Sequence, residues 1–258
     1  MNEKELRAAV QRLVLCELAK TGQRCVPVMS SNRHVHLCQA DVEKLFGAGY
    51  QLTKMRDLVQ PGQFACNERV TIETEKGKMA LRVVGPARKE TQIELSFTDA
   101  VKLGLKPPIR MSGDLEGSPG CTLANGDRRV TIPRGVIVAE RHLHLAPDEA
   151  EAFGVKDGDV VSLVVEGPRP GTLDGVIVRS GKGHLMEAHI DKDEANACAL
   201  SDGPEAAHAH ALPVVPARDA HGRARSRLHP REHGVGGVEA TKPAPEHRDR
   251  RAQRLRHV

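Results

Sequence analysis

The order Arg-His-x-His-Leu is written twice, as "RHVHL" at residues 33–37 and as "RHLHL" at residues 141–145. Each copy stands directly ahead of a helix-like segment that closes on a glycine, Ala40 to Phe46 before Gly47 and Pro147 to Phe153 before Gly154. In a strand, residues two apart point to the same face, roughly 7 Å apart along the backbone. Both imidazoles of an H-x-H pair can therefore turn to one cation while the residue between them faces a core. A single pair of this kind is better explained by surface or core histidines. Two pairs in equivalent places of a repeated strand–helix segment point to a set of metal ligands and to a duplicated unit.

The rest of the chain fits such a unit. Short strand-like runs separated by turns ("CVPVMS", "RVTIET", "MALRVVG", "TQIELSF") precede a second series ("RVTIPRGVIVAERHLHL", "DVVSLVVEG", "LDGVIVRS", "LMEAHID"). Many short strands with glycine-rich turns suit small barrels or sandwiches. The expected fold is mainly β with short helices, an α+β protein of two related β-barrel domains over residues 26–106 and 121–199. They would meet across "PPIRMSGDLEGSPG", residues 107–120. Aromatics are only 2% of residues, so the cores must rest on Val, Leu, Ile and Ala.

The two ends differ from this body. Residues 2–20 predict an amphipathic helix with Asn2 and Glu5 as a capping box and Leu6, Val10, Leu13, Val14 and Leu18 on one face. That helix either docks on the body or serves as a detachable targeting peptide. Residues 200–258 hold ten Arg, one Lys and seven Asp or Glu; removing them from the 38 basic and 34 acidic residues of the chain leaves 27 of each sign. The body is thus neutral and carries no electrostatic footprint for nucleic acid. The tail, with seven of the thirteen His and no Ile, Phe, Tyr, Trp, Met or Cys, predicts a disordered segment, and its abrupt change of composition suggests a shifted reading frame. No apolar run approaches the roughly 20 residues that cross a bilayer. The six cysteines form no C-x-x-C pair, which fits reduced thiols in the cytoplasm.

Without the tail, six histidines remain: His34, His36, His142, His144, His184 and His189. Each H-x-H pair needs a further ligand. Glu94 in "TQIELS" and His189 in "LMEAHID" are the candidates, since a polar side chain inside an apolar run needs a partner. "GPARKETQ" puts Arg88 and Lys89 in a turn after the strand that carries Arg82, a grouping suited to an anion, although this segment alone is better explained as an ordinary basic hairpin turn. On these residues alone, the reading stops at a duplicated β protein with a two-metal histidine site.

Six motifs in series, "SSNRHVHL", "DLVQPGQFACNERVTI", "VVGPARKETQIELS", "SGDLEGSPG", "VAERHLHL" and "AHIDKDEANA", resemble the PduL-type phosphate propanoyltransferases, the phosphotransacylases of bacterial microcompartments. The resemblance runs from about Val26 to Leu200. It implies paired β-barrel domains with two zinc ions between them, and reversible conversion of acyl-CoA plus phosphate into acyl phosphate plus CoA, with a propanoyl or acetyl group. By motif, His34, His36 and Glu94 would hold the zinc that meets the CoA sulfur, and His142, His144 and His189 the second metal. Arg88 would bind phosphate; Ser31, Arg82 and Asn196 fall at further motif positions. Arg56 stands where the family has lysine, and Cys38 where it usually has a serine helix cap. His184 takes no role and is read as a loop residue. The resemblance also implies shell or lumen proteins as partners of residues 1–20, a location inside a microcompartment, and leaves a homo-oligomer open. Two other readings stand beside it: a zinc hydrolase of acyl phosphates or thioesters, and a non-catalytic β-barrel scaffold with structural zinc.

Overall fold

A computed structural model describes residues 3–165, 169–200 and 211–216. All of them fall in one unit of the chain, Met1–Arg227; the other unit, Leu228–Val258, lies outside the described residues, as does Asn2 of the expected capping box. In chain order the elements are α1 (Glu3–Lys20), β1 (Cys25–Ser31), β2 (His34–His36), α2 (Gln39–Phe46), β3 (Lys54–Asp57), β4 (Phe64–Glu73), β5 (Lys78–Gly85), β6 (Gln92–Glu94), α3 (Phe97–Leu103) and β7 (Ile109–Arg110). They continue with β8 (Cys121–Asn125), β9 (Arg128–Ile132), β10 (Val136–Ala139), β11 (His142–Leu145), α4 (Pro147–Phe153), β12 (Val160–Val165), β13 (Gly171–Ser180), β14 (Glu187–Asp191), α5 (Lys192–Ala197) and β15 (Ala211–Pro216). The chain is mainly β with few short helices, and no helix among the described residues is long and apolar enough to cross a membrane.

Two sheets carry the fold. One closes as a barrel in the order β1-β14-β11-β13-β12-β15; the other is a nine-stranded sheet in the order β7-β10-β6-β2-β5-β4-β8-β9, with β3 paired to β4. The pairings around the two histidine strands follow one pattern. β2 runs parallel to β5 and antiparallel to β6, and β11 runs parallel to β13 and antiparallel to β14. β10 lies parallel to β6, and β1 lies parallel to β14. Yet β1 precedes β2 in the chain and belongs to the barrel, whereas β10 precedes β11 and belongs to the open sheet. The chain thus crosses from one sheet to the other at residues 32–33 and back at residues 140–141, immediately ahead of each histidine pair. Sheet membership therefore does not change over at residues 107–120.

Each sheet closes over its own aliphatic core. Val26, Val28, Leu143, Leu145, Val161, Leu163, Val178 and Ile190 fill the barrel with Phe153 of α4. Val35, Leu37, Val70, Ile72, Leu81, Val83, Ile93 and Leu123 fill the concave face of the other sheet. α2 and α4 form where the helix-like segments were expected, and α3 and α5 are additional. Ser96 caps α3 by accepting from the Asp99 backbone N–H, and Asp191 caps α5 by accepting from that of Glu194. Gly135 seats β10 against β6: its carbonyl accepts from the Ile93 N–H at 2.8 Å, its φ is +128°, and a Cβ there would lie 2.5 Å from the Thr91 carbonyl oxygen.

Two expectations at the ends need correction. The α1 face that carries Leu6, Val10, Leu13 and Val14 is exposed, and the helix docks through Leu15 and Ala19, with Arg12 3.8 Å from Glu149 of α4. Residues 211–216, expected within a disordered tail, form β15 and close the barrel between β1 and β12. "ALPVVP" is the one apolar run of that tail, and two open strand edges supply the backbone partners it needs. The remainder of 200–258, apart from Leu200, lies outside the described residues.

Candidate metal centre

Strand alternation sorts the motif residues as expected. Val35 and Leu143 point into the two cores, and the flanking histidines turn to the other face of their strands. Pairing register supplies the third member of each set, since Glu94 lies directly across from His34 and His189 directly across from His142. Two triplets result, His34–His36–Glu94 and His142–His144–His189, with the candidate ligand atoms of each within 4.8 Å of one another. Glu94 Oε2 is 3.5 Å from His34 Nε2, and Oε1 is 3.9 Å from His36 Nε2.

The arginine ahead of each pair has a structural task. Arg33 Nη1 donates to both carboxylate oxygens of Asp99 at 2.7 and 2.8 Å, and Arg141 Nε donates to Glu194. Asp99 and Glu194 sit in the first turns of α3 and α5, the helices that follow the strands of Glu94 and His189. Each arginine therefore ties its histidine strand to the strand–helix unit that completes the triplet.

The donor sets fit metal ions. Backbone carbonyls of Asn32, Val84 and Glu140 accept from the Nδ1–H groups of His34, His36 and His142 at 2.8, 3.0 and 2.7 Å. That tautomer leaves each Nε2 with a free lone pair, as metal-binding imidazoles require. His144 Nδ1 is buried with no hydrogen-bond partner among the described residues. Burial, with the neighbouring His34, pushes the His36 imidazole down to about 3; burial, with His189, does the same to His142. Burial drives His144 lower still. Desolvation alone would raise Glu94, but the surrounding His34, His36 and His142, together with Arg88, outweigh it and hold the carboxyl at about 2. Neutral imidazoles beside an ionised carboxylate can all bind a divalent cation at neutral pH.

Both triplets line one cavity of about 370 Å³, which also receives Ser31, Arg56, Arg82, Arg88 and Arg179. Arg88 is placed by its backbone N–H, which donates to the Leu37 carbonyl at 2.9 Å, and by Nη1, which donates to Ser112 Oγ at 2.9 Å. A sequence model of the phosphate propanoyltransferase family matches residues 27–201. Named relatives agree. The phosphate propanoyltransferase of Thermotoga maritima is 50% identical over 175 residues, 67% of this chain and 83% of its own. That of Clostridioides difficile is 50% identical over 179 residues, 69% of this chain and 86% of its own, and that of Sebaldella termitidis 44% over 204, covering 79% and 96%.

The chain belongs to the phosphate propanoyltransferase family. It is an enzyme of the acyltransferase class. In this member of the family, Ser31 Oγ lies 3.5 Å from His34 Nδ1, and Arg82 Nη1 donates to the Cys66 and Asn67 carbonyls at 3.0 and 3.3 Å. Arg56 reaches the cavity from the exposed strand β3. Lys89 turns to solvent, and Asn196 is exposed on α5 away from the cavity lining. Cys38 makes no side-chain cap on α2; its backbone N–H donates instead to Thr91 Oγ1, which donates in turn to Asp41.

Several cavity residues escaped the sequence reading, His184, Gln60, Arg179 and Glu187 among them. His184 is in a loop as expected, but its ring stacks on His144 at 4.4 Å between centroids. Gln60 holds that loop against the open sheet by donating to the Leu185 carbonyl and accepting from its N–H. Arg179 sits opposite His144 on β13, and buried Glu187 contacts His189. Of these, only His184 carried a sequence signal, as the one body histidine without a role.

Proposed function

We propose that this enzyme interconverts acyl-CoA plus phosphate with acyl phosphate plus CoA, for a short acyl group such as propanoyl or acetyl, by direct transfer at a two-zinc site. The observation that carries this reading is one cavity that joins two three-ligand sets to the Arg88 guanidinium. His34, His36 and Glu94 would hold one zinc, and His142, His144 and His189 the other. When bound, the metals supply a deprotonated CoA thiol near neutral pH and stabilise negative charge on the phosphoryl oxygens.

Arg88 orients phosphate or the phosphoryl end of acyl phosphate through its unshared N–H groups. In the thioester-forming direction the CoA sulfur bonds to the acyl carbon, the bond from that carbon to the phosphate oxygen breaks, and phosphate leaves. The thiol proton passes to solvent or to the departing phosphate. No acylated side chain is needed. Cys66, one candidate for an alternative nucleophile, is fully buried, and burial with Glu68 pushes its thiol up to about 11. Ser31, Arg56 and Arg82 line the route to the metals and favour an anionic substrate.

The matched pairings of β2 and β11 support two β units related by internal duplication, with the site between them. The outward apolar stripe of α1 favours residues 1–20 as the contact with microcompartment proteins. The test is thioester formation from propanoyl or acetyl phosphate and CoA by zinc-loaded protein, with His34→Ala and a chelated sample beside it. Thioester that disappears in both controls supports the transferase; acyl phosphate lost at the same rate without CoA would make the enzyme a hydrolase.

A further inference from the structure

The third member of each triplet stands on a strand two residues after a buried polar side chain. Gln92 precedes Glu94 on β6, and Glu187 precedes His189 on β14. Both are only 2% exposed. They occupy equivalent registers as well: Gln92 lies across from His36 and Glu187 across from His144, the second histidine of each pair. Burying an amide or a carboxylate at such a place costs free energy unless it is hydrogen-bonded, and each is bonded to the triplet member beside it. Gln92 Nε2 donates to Glu94 Oε1 at 2.6 Å, and Glu187 Oε2 accepts from His189 Nε2 at 2.8 Å.

The polarity of the two contacts is inverted to suit the group they hold. A carboxylate is met by an amide donor, and an imidazole by a carboxylate acceptor. The Gln92 amide cannot flip without loss, because the Gly113 N–H donates to its Oε1 at 2.8 Å and Nε2 also donates to Ser112 Oγ at 2.8 Å. The Glu187 contact occupies Nε2 of His189, so that Nδ1 remains as its free nitrogen, the reverse of the tautomer found at His34, His36 and His142.

We infer that Gln92 and Glu187 are paired positioning residues, one for each metal centre, which fix the orientation and the donor atom of Glu94 and His189. Gln92 has a second task, since Ser112 Oγ is shared with Arg88 Nη1. The first metal centre and the anion-binding arginine thereby hang on one hydroxyl. This inference rests on the two-metal reading above.

The test is cobalt(II) binding to the metal-free full chain, followed by the visible ligand-field bands and by competition with a chelator. H142A/H144A isolates the first centre, and H34A/H36A the second. In these backgrounds Q92L should weaken the first centre alone and E187A the second alone, each by about 10–100-fold, the usual cost of losing an outer partner of a metal ligand. The near-isosteric E187Q, which still offers an acceptor to His189, should recover part of the loss. Affinity and spectra unchanged from the parent background for Q92L and E187A, with the wild type taking up two equivalents of cobalt, would overturn this inference alone. Uptake of no cobalt by the wild type would overturn the two-metal reading and this inference with it.

Discussion

Replacement of Arg88 gives the sharpest test of the anion site. Its Nη1 is occupied by Ser112 and its backbone by Leu37, which leaves the other N–H groups free to grip two phosphate oxygens. Among the described residues, the Glu94 carboxylate acts on its charge, and Arg179 is a further cation. No ion pair with a carboxylate among the described residues must therefore be broken when phosphate binds. Two hydrogen bonds to a charged group, at about 1.5–3 kcal/mol each, amount to about 3–6 kcal/mol. At about 1.4 kcal/mol per tenfold, Arg88→Ala should lower kcat/KM for phosphate by about 10²–10⁴-fold. Arg88→Lys keeps the charge but not the fork, and should recover only part of that loss. The assay is acyl phosphate formation from propanoyl-CoA with phosphate varied, alongside a thermal melt to show that the fold is intact. A loss under threefold in a folded Arg88→Ala protein, or a lysine variant equal to wild type, would refute the assignment.

Three further outcomes follow from packing and charge. Glu68, buried, accepts from the Tyr50 hydroxyl at 2.8 Å and from the Thr53 hydroxyl and N–H. Burial alone would raise its carboxyl, but these bonds hold it below the ordinary glutamate range, so its contribution is present above that range and is lost as pH falls through the lowered value. Glu68→Gln should therefore cost about 1–3 kcal/mol at pH 7, and urea titrations should show the gap closing below about pH 4.3; a gap that does not change with pH would count against it. Gly135→Ala should destabilise by about 1–3 kcal/mol because positive φ and the Thr91 carbonyl both resist a Cβ; a melt at the wild-type temperature would show that β10 is not held as described. On α1, Leu15→Ala should cost about 2–5 kcal/mol, whereas Leu13→Glu, at a position 67% exposed, should stay within about 0.5 kcal/mol; the opposite order would mean that the helix docks through its other face.

Much of the site was legible because its signal is local. Period-2 alternation put each histidine pair on one strand face, and burial logic singled out Glu94 and His189 as polar side chains inside apolar runs. α2 and α4 were legible from their closing glycines, with Pro147 marking the start of α4. α3 and α5 were not, although "SFTD" and "DKDE" carry cap signals and α3 closes on Gly104, since neither follows a repeated histidine motif that draws attention to so short a helix. The α1 stripe misled because a surface helix can turn either side to its neighbour: the small face of Leu15 and Ala19 fits against α4, and the wider apolar stripe is left outside.

By itself, then, the sequence determined the candidate ligand types, their spacing on each strand, the aliphatic character of the cores and the family. Only the tertiary structure decided how the pieces combine. The exchange of β1 and β10 between the sheets, closure of the barrel by residues 211–216, and the seating of Gln92 and Glu187 beside their triplets all depend on backbone pairing between segments far apart in the chain. A strand's residue pattern shows which face is buried but carries no label for its neighbour. That neighbour is chosen by the whole set of hydrogen bonds and cores that must be satisfied together.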